Sequence, residues 1–589
     1  RRRARHWRAP RFLWRLRTCT CPSASGRHAR RARGRGSAPP SPPCCRRPAS
    51  RLPPPPQAIV LYGFRPLWRF RLRHVPGKRP RWVTGGILEL RARGSPAVHA
   101  EARAAFGRVW KSWGGSRPFI FVADPAVSRS ILLRNRERPK FASFWSGRDA
   151  EFEAASILAA RGAFHHALRN TVWVPLFFRS SLDRFRPLVA AHVSALAASL
   201  DAAAGTVVDV HESFKVLTLD VVGEVAFGLS LNAGRGGAGA DLKEGLDAIF
   251  RVNGLSFSRY GAALLFFPVA QPLIRWAASR WPDAGMARVR GNRERVLKTV
   301  MPLIAAHREA VAAEAAAAAA AGTPTPPPTI GTRALRSGVA PGSFLDLCVR
   351  ATDKATGAPL LSPRAVANQA LVMLAAGMET TANALAYVLF CLHKGGSEGP
   401  LAWVREEVDA KVKAAGGAAA AAAASATDAE AWPRLDAAWR EALRLFPPAP
   451  MLVRELERET DALGVAVAKG AWVAVPALVQ HRDPEIWGGD AMEYRPARWI
   501  DGSVSDEARA SFLIWGAGSR QCVGRALALL EAKTALAVLL ARFDFELAPG
   551  QDPLLLRQTI TLSPAEGLKA TPRLRSAPGK GRPVTAREA

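Results

Sequence analysis

The feature that most constrains this chain is one loop near its C-terminus, Trp515-Gly516-Ala517-Gly518-Ser519-Arg520-Gln521-Cys522-Val523-Gly524. Glycines at 516 and 518 permit a tight turn and let the backbone come close to a partner. Gly524 leaves room just past the cysteine. A helical pattern runs from near Val523 to about Arg542, so Cys522 is expected at the start of a last helix. A thiol placed there faces unpaired N–H groups and the positive end of the helix dipole, and both lower its pKa. A cysteine taken alone is usually a small buried hydrophobe. The glycine-lined turn around this one favours a ligand. A thiolate held against a flat partner suits the proximal side of a haem, where it favours O–O cleavage. Arg520 stands where it can meet a haem propionate.

A second signal lies upstream. Ser362-Pro363 is a helix start and Gly395-Gly396 a stop. The helix between them spans roughly 32 residues, or about 48 Å. It is apolar nearly all round and is expected to run through the core. Midway stands Ala376-Gly377-Met378-Glu379-Thr380-Thr381. A glycine and two threonines are poor choices inside a helix. One reading is a structural kink, since threonine bonds back to the carbonyl one turn earlier. The other is a groove for dioxygen, with Thr380 donating a hydrogen bond and Glu379 helping to relay protons.

Glu441 and Arg444 sit at i and i+3 on another predicted helix, about 436–445. Such pairs are usually worth little at a surface. A buried pair would need extra partners to offset desolvation.

In this order, the motifs resemble those of the cytochrome P450 family, in its eukaryotic, plant- or algal-like form. The loop matches the pattern aromatic-Gly-x-Gly-x-Arg-x-Cys-x-Gly, with Trp515 where Phe is commonest. The Thr380 segment resembles the family's Ala-Gly-x-Asp/Glu-Thr-Thr motif, and Glu441 to Arg444 its Glu-x-x-Arg helix, whose network a second arginine from a Pro-x-Arg segment completes; here that implies Arg498 of Tyr494-Arg495-Pro496-Ala497-Arg498-Trp499, making a three-membered structural brace. The resemblance covers about residues 77–575. It implies a mainly helical fold with small β-sheets, in one large domain interrupted by low-complexity insertions. It implies haem b with Cys522 as the iron ligand and Gly516, Gly518 and Gly524 shaping the loop. Arg454 would meet a propionate, as would Arg169, the arginine of the family's Trp-x-x-x-Arg helix. His165 stands where that motif has Trp. His481-Arg482-Asp483-Pro484 resembles a recurrent segment near the haem edge, or serves only as a turn. Leu562 to Leu568 resembles the last hairpin, which touches substrate.

The implied reaction is monooxygenation. One atom of O2 enters a small apolar substrate, with electrons from a separate donor protein, either NADPH-cytochrome P450 reductase or a ferredoxin. Arg440, Arg525 and Lys533 are candidates for attracting that donor. A reductase-independent isomerase or dehydratase acting on a peroxide is the rival, opposed by Glu379 and Thr380. A third class, nucleic-acid binding, is suggested by the net charge of +35. The position of that charge opposes it. No acid precedes Glu89, and the first fifty residues are dense in Arg, Pro, Ser and Ala.

Residues 1–76 read as a basic head, disordered at least through the Pro run at 53–56. An organelle transit peptide and a plain disordered tail are both open readings. The start at Arg1 favours an incomplete N-terminus. The head points to a plastid or mitochondrion, and the family resemblance to the endoplasmic reticulum membrane, so membrane association stays possible. No run of 18 apolar residues occurs. Residues 576–589 are expected as a flexible tail. Segments 233–239, 312–329 and 418–424 are expected as surface insertions.

Among finer elements, 118–123 reads as a strand followed by an Asp124-Pro125 helix cap. Residues 463–475 read as a hairpin turning at Lys469-Gly470.

Overall fold

The main core of the described residues is built around the helix Pro363–His393. Ser362 caps it, its Oγ accepting the Ala365 N–H at 3.1 Å, and Pro363 occupies the first turn. A proline costs nothing there because that N–H has no helical partner. Between Ala365 and His393 every side chain is buried except those of Ala375, Ala376, Gly377 and Thr380. This central helix therefore passes through the core and opens at one place. Val210–Phe227 is its closest companion, and the two backbones approach at Gly377, where a Cβ would lie 2.7 Å from Val222 Cγ2.

These relations come from a computed structural model. It describes residues 72–575, apart from 79–85, 87–88, 91–92, 115–116, 140–154, 235, 252–259, 261–270, 323–337, 354, 397 and 418–430. The expectations for 1–57, 418–424 and 576–589 lie outside the described residues. From His74 onward the chain forms one compact unit. It is mainly helical with small sheets.

The helices Ala284–Ala320, Pro433–Leu445 and Arg525–Arg542 also pack on the central helix. The first runs through 312–320, where an insertion was expected. Alanine is the best helix former, so the tract extends the helix. Likewise Gly237–Arg251 begins a helix inside the glycine-rich 233–239.

The strands form four small groups. Val109–Gly114 (β1), Arg117–Val122 (β2), Leu452–Glu455 (β4) and Trp472–Val475 (β7) make one sheet, in the order β1-β2-β7-β4. β2 and β7 run parallel, and the other pairs antiparallel. Asp124 then caps the helix Pro125–Arg134 as expected, accepting the Val127 N–H at 2.9 Å. Val208–Asp209 (β3), Phe543–Leu547 (β8) and Lys569–Leu574 (β11) form a second sheet.

The hairpin expected over 463–475 is corrected. Thr460–Ala462 (β5) pairs with Val465–Val467 (β6) across a turn at Leu463-Gly464. Both turn residues have positive φ, 56° and 78°. That is the conformation tight hairpins require; the expected turn at Lys469-Gly470 also forms, with Gly470 at φ 80°, but the strands on its two sides do not pair. β7 turns away to join β2 and β4. The closing hairpin lies earlier than expected, with Leu556–Gln558 (β9) paired to Leu562–Pro564 (β10).

Candidate active site

The cysteine loop is a folded-back turn. The Cys522 N–H donates to the Trp515 carbonyl at 2.8 Å, and the Gly516 N–H to that of Leu513 at 2.9 Å. Gly516 and Gly518 take φ of 67° and 71°. At Gly518 the requirement is doubled, because a Cβ would fall 2.6 Å from the Leu132 carbonyl oxygen. The loop thus lies against the end of Pro125–Arg134, and only glycine permits it.

Cys522 does not begin the helix. Arg525–Arg542 starts three residues on, with Gly524 as N-cap. The expected fall in the thiol pKa is corrected too. Burial pushes it up, outweighing the Gly524 N–H and the charges of Arg169, Arg138 and Arg525. Protein surrounds the thiol on the scale that desolvates it, yet the side chain itself is open. Those two facts agree if Cys522 faces an internal cleft.

Cations gather around that cleft. Arg138 and Arg169 both act electrostatically on Cys522. Burial pushes the Arg454 guanidinium down to about 9, helped by Arg138 and Arg520. Arg520 is pushed down to about 10 by burial, then by Arg138. Buried His165 is driven to about 3 by desolvation and by Arg520, Arg169 and Arg138. It is therefore neutral. The acid nearest this group, Glu137, is engaged by Arg161 at 2.6 Å.

The arginines differ in what they have left to give. Arg520 donates to the carbonyls of Arg136, Ile157 and Ala160, which ties the loop to two neighbouring segments. Arg454 donates to the carbonyls of Asn135 and Val453. Among the described residues Arg138 makes only a long contact, 3.4 Å to the Leu158 carbonyl, and Arg169 has no acidic partner. Arg138 was missed in the sequence because no motif marks it. Its place depends on the chain returning past Asn135.

On the central helix, Thr380 Oγ1 donates to the Ala376 carbonyl at 2.7 Å, inside the opening. Glu379 points elsewhere. It is buried, with Asn383 Nδ2 and Thr561 Oγ1 each 3.4 Å from its Oε1. Burial raises its pKa. No hydrogen bond joins Glu379 to Thr380 among the described residues.

The Glu441 cluster is closed on every side. Arg444 grips the carboxylate with both Nε and Nη2, at 3.0 and 2.8 Å. Arg498 Nε adds a bond at 2.8 Å and Trp499 Nε1 one at 2.9 Å. Glu441 and Arg444 are fully buried and Arg498 nearly so. Arg444 also reaches the carbonyls of His481 and Ala491, both at 2.6 Å. His481, neutral because burial takes its pKa to about 3, accepts the Leu513 N–H at 3.1 Å on Nε2. The cluster is thus linked through His481 to the residue from which the cysteine loop springs. Trp499 and His481 extend the brace beyond the three residues expected.

Of the three residues expected to attract a donor, Lys533 is misplaced. Lys533 is buried against Asp436 at 2.9 Å, and Arg440 pairs with the same carboxylate and lies over Trp499. Only Arg525 of the three is exposed.

Do these residues suit a haem? Among the described residues no cluster of three His, Cys, Asp or Glu side chains could hold a bare metal ion. One open thiol suits an iron whose other ligands come from a macrocycle. The surrounding cations suit its two carboxylates. The donor set fits.

Comparison with known proteins gives the same direction. The family model described as Cytochrome P450 matches residues 75–570. "Protein LUTEIN DEFICIENT 5, chloroplastic" from Arabidopsis thaliana is 25% identical over 485 residues, covering 80% of this chain and 73% of that protein. "Putative cytochrome P450 CYP13A5" from Caenorhabditis elegans is 26% identical over 544 residues, 86% of this chain and 95% of its own. "Thromboxane-A synthase" from Rattus norvegicus is 26% identical over 533 residues, 86% and 92%. Relatives so similar in identity come from a plant, a nematode and a mammal, so no lineage is singled out.

Proposed function

The chain belongs to the cytochrome P450 family, and from that premise we propose that it is a haem-thiolate monooxygenase acting on an apolar organic substrate. The observation that carries this is the open thiol of Cys522 among unmatched arginines. Cys522 would be the axial ligand of haem b. Arg138 and Arg169, with donors to spare, would hold the propionates, while Arg454 and Arg520 hold backbone. When bound, the haem supplies the reduction of dioxygen and the transfer of one oxygen atom to substrate.

The protein's own contribution is positional. Thr380 keeps a hydroxyl at the single opening of the central helix, where its proton can turn from the Ala376 carbonyl to a molecule in the cleft. Glu379, one residue away, is buried, which raises its pKa and makes it the better proton carrier of the two. The glycines at 516 and 518 fix the loop, and the Glu441 brace fixes the segment that precedes it. Electrons would come from a separate reductase or ferredoxin.

The deciding experiment is a reduced, carbon-monoxide difference spectrum of the wild type and of Cys522→Ser. A thiolate-type Soret band in the first and its loss in the second are expected. A folded wild type that takes up no haem overturns the proposal. NAD(P)H-dependent oxygen uptake with a supplied donor separates monooxygenation from peroxide isomerisation or dehydration.

A further inference from the structure

Glu379 and Asn383 lie one turn apart on the central helix and share a face. Both are buried. The Asn383 amide approaches the Leu562 carbonyl at 3.0 Å, and a carbonyl only accepts. Nδ2 is therefore the atom on that side, and Oδ1 faces His211 Nε2 at 2.7 Å. Oδ1 also only accepts, so the His211 ring carries its proton on Nε2. Burial holds that ring neutral, with its pKa pushed down to about 4.

Asn383 Nδ2 turns its second hydrogen toward Glu379 Oε1, at 3.4 Å. An amide nitrogen does not accept, so Oε1 is kept as the accepting oxygen. Thr561 Oγ1 lies at 3.4 Å from the same oxygen. When the carboxyl is protonated, its proton is left on Oε2.

His211 stands on firm backbone, in the first turn of Val210–Phe227. The N-cap Asp209 accepts the His211, Glu212 and Leu568 N–H groups at 3.1, 3.2 and 3.2 Å. Two turns on, Thr218 Oγ1 donates to the Met378 carbonyl at 2.9 Å, one residue before Glu379. One helix thus sets both the backbone and the side chain of the acid. Lys215, Asp247 and Arg557 act electrostatically on the carboxyl, and Lys215, Asp209 and Glu212 on the imidazole.

We propose that His211 is a positioning residue for Glu379: through the Asn383 amide it keeps the acid's proton on Oε2, the oxygen that the Asn383 and Thr561 donors leave free. This rests on the monooxygenase reading, in which Glu379 relays protons, and deepens it. It extends the support of the acid to a second helix and to the β9–β10 hairpin.

The test reads the haem-loaded protein, using variants that keep the wild-type Soret spectrum. Nitrogen-15 NMR of ring-labelled histidine, assigned by difference from His211→Gln, is expected to show His211 at neutral pH as the uncharged Nε2–H form. The infrared band of the protonated Glu379 carboxyl is identified by its loss in Glu379→Gln. It is expected to shift in His211→Phe, which frees the amide to turn. It is expected to return toward the wild-type position in His211→Gln, whose amide can donate to Asn383. A His211 ring that is charged, or that carries its proton on Nδ1, overturns the proposal. A Glu379 band unmoved in His211→Phe overturns it too. If the phenylalanine variant does not fold, the wild-type nitrogen spectrum and the glutamine variant decide. The haem-thiolate reading fails separately, by the carbon-monoxide spectrum, whichever nitrogen of His211 holds the proton.

Discussion

Single residues carry the sharpest expectations. Glu531 is fully buried on the last helix, its Oε1 has no partner, and burial raises its pKa well above the usual range. A carboxyl with a raised folded pKa is neutral in the fold and ionised in the unfolded chain. Its effect is absent below the unfolded value, about 4.3. Above that, stability falls by about 1.4 kcal/mol per pH unit until the folded pKa is reached. Glu531→Gln should therefore match the wild type near the unfolded pKa and melt progressively higher than it as pH rises. Melting curves across pH check this, and a constant difference would contradict it. Gly518 gives the opposite case. Adding a Cβ forces both a positive φ and a clash with the Leu132 carbonyl. Gly518→Ala should cost about 1–3 kcal/mol in denaturant unfolding and weaken haem retention.

At the scale of elements, the brace matters more than any one ion pair. Glu441 satisfies Arg444, Arg498 and Trp499 together, and Arg444 in turn holds three backbone carbonyls. Glu441→Gln leaves the buried Arg444 guanidinium without its counter-charge, while Arg498 keeps Asp490 at 3.1 Å, a loss of about 3–5 kcal/mol. Arg444→Ala removes the contact to His481, and with it the route to Leu513 and the cysteine loop. Its expected outcome is protein without incorporated haem, seen as an absent Soret band. An unchanged spectrum would show that the brace does not serve the loop.

At the scale of the whole molecule, the basic charge of the head and the haem chemistry are expected to separate. The compact unit from His74 onward contains every residue assigned to the site. Deleting residues 1–57 should leave haem binding and turnover intact while removing any binding to DNA. That comparison, by spectrum and by mobility shift, tests whether the basic head is accessory. A truncated protein that no longer loads haem would reverse this view.

Local patterns were legible wherever one stretch of chain decides its own conformation. Ser362-Pro363 and Asp124-Pro125 set helix starts because capping needs only neighbouring residues. Glycines 516 and 518 announced a tight loop, and the Glu441–Arg444 spacing a shared helix face. Contacts between distant segments were not legible. Arg138 near Cys522, His481 bridging brace and loop, Arg520 spent on carbonyls and Lys533 buried on Asp436 all depend on which segments the core brings together. Cys522 shows the division most clearly. Its loop was written in the sequence, but the state of its thiol was not. Helix-start geometry alone argues for a lowered thiol pKa, whereas burial, which the tertiary fold sets, raises it.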